Sequence, residues 1–158
     1  MLKRGSIVLS IWSGINIFLA SIILTIVVFL NGNSPILQVA SFSEAEIASL
    51  SAKVIASLNA LTILYNSCSV VVSVLVWSLI RKNLIAGQKW AFWVLLFVIG
   101  FVEVMAFIAS APIGNARWPV NVVQSILYVV GIGLCAYPIL KPKSRLHDQI
   151  ENKEGVLT

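Results

Sequence analysis

One acidic residue stands inside an otherwise apolar stretch of the sequence, and its position gives it the clearest capacity for chemistry. Glu103 lies between Gly-Phe-Val and Val-Met-Ala-Phe, and no other charged residue occurs between Lys89 and Arg117. An acid at the centre of a membrane-spanning helix costs roughly 2.5 to 3.5 kcal/mol on insertion scales, so its side chain must face protein or water and have a partner. Such acids are functional sites by default. We therefore predict that Glu103 either anchors a ligand or joins helices through hydrogen bonds to Asn66 or Gln124.

Polar residues recur at helical spacing on two other apolar stretches: Asn59, Thr62, Asn66, Gln124 and Tyr128. Steps of three and four residues place side chains on one face of a helix. Counting about 1.5 Å per residue from the helix ends puts most of this set at a depth similar to that of Glu103. We predict that the five residues and Glu103 line a ligand-binding pocket. The alternative is that they form hydrogen bonds between packed helices.

The sequence contains few of the residue sets that soluble enzymes use. The single histidine, His147, and the two cysteines, Cys68 and Cys135, are too few for the common metal sites and disulfide frameworks. A Gly-rich phosphate loop and a Ser-His-Asp set are also missing from the sequence. A single intramembrane acid without a second acid, a base or a metal is a poor catalytic set. These observations favour a protein that is not an enzyme and has no metal or other cofactor.

The elements that must position these side chains are membrane-spanning helices. Hydrophobic residues make up 59% of the chain and charged residues 11%, whereas soluble domains carry about 25% charged residues. Four stretches reach the roughly 20 apolar residues that a spanning helix needs: 7–30, 54–80, 91–110 and 120–140. The sequence thus predicts an all-α integral membrane protein, a four-transmembrane-helix bundle in residues 1–143. The polar tail at 144–158 is predicted to be disordered.

Basic residues set the predicted orientation. Most Lys and Arg residues flank the spans on one side, which the positive-inside rule assigns to the cytoplasm together with both termini. The net charge of +5 is explained in the same way, so we expect no nucleic-acid partner. Ser43 to Glu46 matches a capping box, and no Pro or Gly follows until Gly87. We therefore predict one helix from about Glu44 to about Lys82 that extends beyond the outer face.

The segment Arg81–Trp93 carries a family resemblance. Its basic residue, its Gly and its Trp-Ala-Phe-Trp run join the second predicted span to the third. This pattern, with the acidic, Ala-rich lead-in from Glu44, resembles small uncharacterised four-span bacterial inner-membrane proteins over about the middle third of the chain. The resemblance implies a bacterial inner (plasma) membrane protein and carries over no catalytic residue.

Three hypotheses on function follow from the sequence. The first is a bundle that binds a lipid or a hydrophobic small molecule between its second, third and fourth helices, with Glu103 as the polar anchor. The second is a structural or assembly subunit, in which Glu103 is a hydrogen-bond clasp between helices and the partner is a membrane protein. The third is an ion or proton pathway through Glu103 in a homo-oligomer. In all three hypotheses the protein is embedded in the lipid bilayer.

Overall fold

The structure is a computed structural model that describes residues 1–30, 32–35, 37, 42–111 and 118–141. Arg117 and the tail at 144–158, predicted to be disordered, lie outside these residues. The described residues form five helices and no strand: α1 (Leu2–Phe29), α2 (Glu44–Ser49), α3 (Ala52–Leu84), α4 (Lys89–Ser110) and α5 (Trp118–Leu140). In this part of the chain four helices, all but α2, are long and apolar enough to cross a membrane. The all-helical fold with four apolar helices is therefore as predicted.

The prediction of one continuous helix from Glu44 to Lys82 is wrong, because the chain breaks between α2 and α3. Leu50 and Ser51 have extended backbone, with ψ of 140° and 147°. The Ser51 side chain then begins a new helix by accepting a hydrogen bond from the backbone N–H of Val54. Serine is among the residues that favour this capping position, so a helix can restart there without Pro or Gly. The predicted capping box between Ser43 and Glu46 is confirmed at the start of α2.

The helix α1 occupies the centre of the bundle. It packs along α3 on one side and along α5 on the other, and α4 packs along α5. The last turn of α3, Ile80–Leu84, contacts both α1 and α4. Over most of its length α3 therefore has α1 as its neighbour, rather than the third and fourth spans assumed for the predicted pocket.

The apolar core lies at the end of the bundle where α1 and α4 begin and α3 and α5 end. All four long helices contribute buried side chains to it: Leu9, Trp12, Val76, Ile80, Leu84, Phe92, Leu95, Ile99, Ile132, Cys135 and Ile139. The basic residues described at this end are Lys3, Arg4, Arg81, Lys82, Lys89 and Lys141, and we call it the basic end. Glu44, Glu46 and Lys53 lie at the opposite end, at the starts of α2 and α3.

A glycine allows α1 and α5 to approach closely. A Cβ atom on Gly131 would lie 2.7 Å from side-chain carbons of Leu9 and 3.4 Å from its backbone nitrogen. Small residues at such crossings let the backbones of membrane helices pack together. Gly133, two residues further along α5, faces open space. The need for glycine is thus confined to the face of α5 that meets α1.

Candidate functional site

Glu103 is 5% exposed, and each of its carboxylate oxygens accepts a hydrogen bond from a different helix. The indole Nε1–H of Trp12 on α1 donates to Oε1 at 2.7 Å. The hydroxyl of Ser125 on α5 donates to Oε2 at 2.5 Å. Both distances lie at the short end of the ranges for N–H···O and O–H···O hydrogen bonds. The carboxyl group of Glu103 therefore joins α1, α4 and α5 at one point.

The spacing of residues along α4 explains why Glu103 faces inward. Leu95, Ile99 and Glu103 follow one another at four-residue steps, which align side chains on one face. Leu95 and Ile99 are fully buried, whereas Phe101 and Val104 beside Glu103 are 63% and 56% exposed. Glu103 thus occupies the position one turn beyond the apolar core, where the next core residue would otherwise stand.

Asn16 and Gln124 extend the polar contacts from Trp12. Asn16, one turn after Trp12 on α1, donates from Nδ2 to the carbonyl oxygen of Trp12 at 3.0 Å. Gln124 on α5 donates from Nε2 to Oδ1 of Asn16 at 3.3 Å. We call these three residues, together with Glu103 and Ser125, the Glu103 cluster. Gln124 is therefore a predicted site residue that the fold brings into the neighbourhood of Glu103.

Asn59 and Thr62 take part in a different contact, at the opposite end of the bundle. The backbone N–H of Ser34 donates to Oδ1 of Asn59 at 2.8 Å, and the hydroxyls of Ser34 and Thr62 lie 2.6 Å apart. Ser34 and Leu37 are 1% and 2% exposed. Ser34 thus lies against α3 and engages two polar side chains that were predicted to face a ligand.

Asn66 and Tyr128 are also engaged with backbone groups. Asn66 is buried and donates from Nδ2 to the carbonyl oxygen of Thr62, one turn earlier on its own helix, at 2.7 Å. The hydroxyl of Tyr128 donates to the carbonyl oxygen of Leu96 on α4 at 2.8 Å. Gly100 makes room for it, because a Cβ atom there would lie 2.7 Å from that hydroxyl. Tyr128 therefore ties α5 to α4 close to Glu103, while the described hydrogen bond of Asn66 stays within α3.

The partners of Glu103 differ from those proposed from the sequence. Asn66 and Gln124 were the expected partners, and the structure has Trp12 and Ser125 instead. Counting residues inward from the helix ends predicted Gln124 as the partner on α5, and Gln124 is next to the observed partner Ser125. A signal for Trp12 was present, because it stands inside a predicted span rather than at its boundary. A tryptophan buried there needs an acceptor for its indole N–H.

Two open grooves run along α1 on the outer surface of the bundle. The larger, of about 520 Å³, lies between α1 and α3. The second, of about 320 Å³, lies between α1 and α5 and is lined by Gln124 among apolar residues such as Ile15 and Val123. Glu103 lines neither groove. A ligand in the second groove would contact Gln124. It would be connected to Glu103 only indirectly, through the hydrogen bonds of the Glu103 cluster.

The described residues offer a narrow chemical repertoire. Among them, no three His, Cys, Asp or Glu side chains come together as a metal site would require. Comparison with protein-family models, with curated proteins and with solved structures gives no match to this chain. Proposals on function therefore depend on the chain's own geometry, above all on a single buried carboxyl group held by two donors.

Proposed function

We propose that this chain is a non-catalytic membrane protein, a structural or assembly subunit whose helices are held in register by Glu103. The observation that carries the proposal is the pairing of both Glu103 oxygens with donors on two other helices, 2.7 and 2.5 Å away. A ligand anchor would need an oxygen directed into a cavity, and neither groove includes Glu103. Buried polar groups of this kind serve best as devices that fix the register of packed helices.

The proposal includes an orientation and a location. The positive-inside rule assigns the basic end and both termini to the cytoplasm. The described basic residues at this end are Lys3, Arg4, Arg81, Lys82, Lys89 and Lys141. The exposed side chains of Trp90, Trp93 and Tyr137 lie near the same end, as aromatic residues at a membrane interface do. The resemblance to small bacterial membrane proteins favours the bacterial inner membrane.

A partner could dock on the side of α3 that faces away from α1. Exposed residues on this side are mainly small or apolar: Ser57, Ala60, Leu64, Ser67, Cys68 and Val71. Spacings of three and four residues align them on one face. Small residues let a second helix approach, and serine can hydrogen-bond across the contact. This face supports a role in assembly with another membrane helix, in a second copy or in another protein.

Substitution of Glu103 by glutamine tests the clasp. Glutamine keeps an oxygen acceptor for Trp12 and a polar group beside Ser125, so we expect the melting temperature and the copurifying species in native mass spectrometry to match those of the wild type. A small molecule that copurifies with the wild type and is lost from Glu103→Gln would overturn the clasp and support a ligand anchor.

A photo-crosslinking amino acid at Ser67 tests assembly. We expect a discrete adduct with a second copy or with one membrane protein identified by mass. The matched control is the same probe at Phe97 on α4, which is 71% exposed and should react mainly with lipid. Reaction with lipid alone at both positions would contradict an assembly role for α3.

Binding of a hydrophobic molecule stays a second candidate because of one observation. Gln124 lines the groove of about 320 Å³ and also hydrogen-bonds to Asn16, so it connects this groove to the Glu103 cluster. Apolar sites with one or two orienting polar groups are typical of small-molecule binding. Replacing Val123 with Trp would fill the groove, and loss of a copurifying ligand in that variant would support this function over the clasp.

A further inference from the structure

The larger groove on the bundle surface has the lining that an acyl chain requires. Its volume of about 520 Å³ is within the roughly 300–1,000 Å³ that small-molecule sites occupy. The lining is mostly apolar: Gly14, Ile17, Phe18, Val74 and Trp77, with Ser21 and Ser78 at its margins. At Gly14 the absence of a side chain leaves room for the Trp77 ring, which lies 3.4 Å from where a Cβ would be. The groove is open along the bundle surface and would admit a chain from the side.

Basic residues lie at the basic end of α1 and of α3, the two helices that line the groove. Arg81 and Lys82 lie one turn beyond Trp77 and Ser78 on α3, and both are exposed. On α1, steps of four, three and four residues lead from Lys3 through Ile7 and Ser10 to Gly14, so Lys3 shares the groove's face. The acidic residues among the described part of the chain are Glu44, Glu46 and Glu103, and none lies at this end. Among the described residues, the basic mouth of the groove therefore has no acidic neighbour that would repel an anion.

We propose that this groove binds an anionic phospholipid from the leaflet at the basic end. One acyl chain lies along Gly14, Phe18 and Trp77, and the phosphate lies between Arg81, Lys82 and Lys3. The dimensions are compatible: the seven residue steps of α3 from Val74 to Arg81 span about 10 Å, which fits within the hydrocarbon depth of one leaflet, about half of the 30 Å core. Basic sites between membrane helices on the cytoplasmic side are where anionic headgroups bind.

Lipid binding in this groove differs from the general attraction of a basic protein surface to anionic lipid. Any basic end is drawn to anionic lipid, with each Lys or Arg contributing. A groove site instead requires the particular cations Arg81, Lys82 and Lys3 together with an open apolar channel. Lys89 at the start of α4 and Lys141 after α5 are exposed at the same end and do not line the groove, so together they provide a control that matches Arg81 and Lys82 in charge.

The test is native mass spectrometry of the full-length protein released from nanodiscs that contain equal amounts of phosphatidylglycerol and phosphatidylcholine with the same acyl chains. We expect the retained lipid to favour phosphatidylglycerol several-fold, and this preference to disappear in the Arg81→Gln/Lys82→Gln variant. Lys89→Gln/Lys141→Gln should keep it. Equal retention of both lipids by the wild type, or an equal loss of the preference in Lys89→Gln/Lys141→Gln, would overturn the proposal.

A second variant leaves every charge in place. Ser21 is exposed at the far margin of the groove, so Ser21→Phe fills the channel with little effect on folding, which circular dichroism and size-exclusion elution check. We expect the phosphatidylglycerol preference to fall as in the double charge variant. Wild-type retention in a folded Ser21→Phe protein would show that the groove is not used.

Discussion

The indole nitrogen of Trp12 and the carboxyl oxygen Oε1 of Glu103 lie 2.7 Å apart although 91 positions separate the residues in the chain. The contact joins α1 to α4, two helices that otherwise pack mainly against their neighbours α3 and α5. Because tryptophan can only donate through its indole nitrogen, the pair fixes which atom of each residue faces the other. The hydrogen bond thus connects α1 and α4 directly.

Replacing Trp12 with phenylalanine should destabilise the protein. The aromatic ring remains, but Oε1 of Glu103 loses its donor while it stays buried, which costs about 1–3 kcal/mol of unfolding free energy. Unfolding in mixed micelles of increasing SDS measures the change. Trp90→Phe is the control, since the Trp90 indole is exposed and bonded to Gln88, and it should change stability by less than about 0.5 kcal/mol. Equal effects of the two substitutions would argue against the clasp.

Gly131 and Gly133 should respond in opposite ways to alanine. In Gly131→Ala the new methyl group would meet Leu9 at 2.7 Å, so α1 and α5 must separate, at a cost of about 1–3 kcal/mol. In Gly133→Ala the methyl group enters open space, and the helix gains up to about 1 kcal/mol in propensity. Parallel melting curves in the same detergent measure both. A stable Gly131→Ala protein would mean that the close approach of α1 and α5 is not required.

The start of α2 should lose order at acid pH. The Ser43 hydroxyl, and then its backbone N–H, donate to the Glu46 carboxylate and lower its pKa below the usual 4.5. A lowered pKa in the folded state means that the carboxylate stabilises α2 above pH 4.5, and that this contribution is lost as the pH falls through the lowered pKa. NMR chemical shifts of residues 44–49 should follow this transition. Glu46→Gln should remove the pH dependence, and Glu44→Gln should keep it.

Asn59 should control the order of the backbone at Ser34, which lies against α3. In Asn59→Leu the Ser34 N–H loses its acceptor at 2.8 Å, a hydrogen bond worth about 1 kcal/mol. We expect hydrogen exchange at the Ser34 amide to become several-fold faster. Ser57→Leu, on the exposed side of the same helix, is the control and should leave the rate unchanged. No change in Asn59→Leu would show that Ser34 is held by other contacts.

The length of the apolar runs and a capping pattern were sufficient to predict the fold in outline. Apolar runs of spanning length gave the four long helices, and the serine-to-glutamate spacing gave the start of α2. The break at Ser51 was missed because serine caps a helix without interrupting the apolar pattern. The local sequence does not show whether Ser51 caps a new helix or lies within a continuous one. The difference lies in the backbone angles of Leu50.

The inward position of Glu103 also follows from the sequence, but its neighbours do not. Spacing along each helix correctly groups Asn59, Thr62 and Asn66 on one face. Which helix that face meets depends on the order of helices around the bundle, and no local pattern encodes that order. With α1 in the centre, the polar face of α3 meets Ser34, and Glu103 meets Trp12 and Ser125 instead.

The central place of α1 has a consequence for biosynthesis. Among the four long helices described, α1 leaves the ribosome before the others, and α5, which supplies Ser125 and the Gly131 contact, leaves it after them. About 110 residues separate their ends, which at bacterial and eukaryotic rates of about 5–20 residues per second corresponds to roughly 5–20 s. During that interval the side of α1 that will pack against α5 must remain in lipid and bind no other protein. The four helices can form the bundle only after α5 has been synthesised.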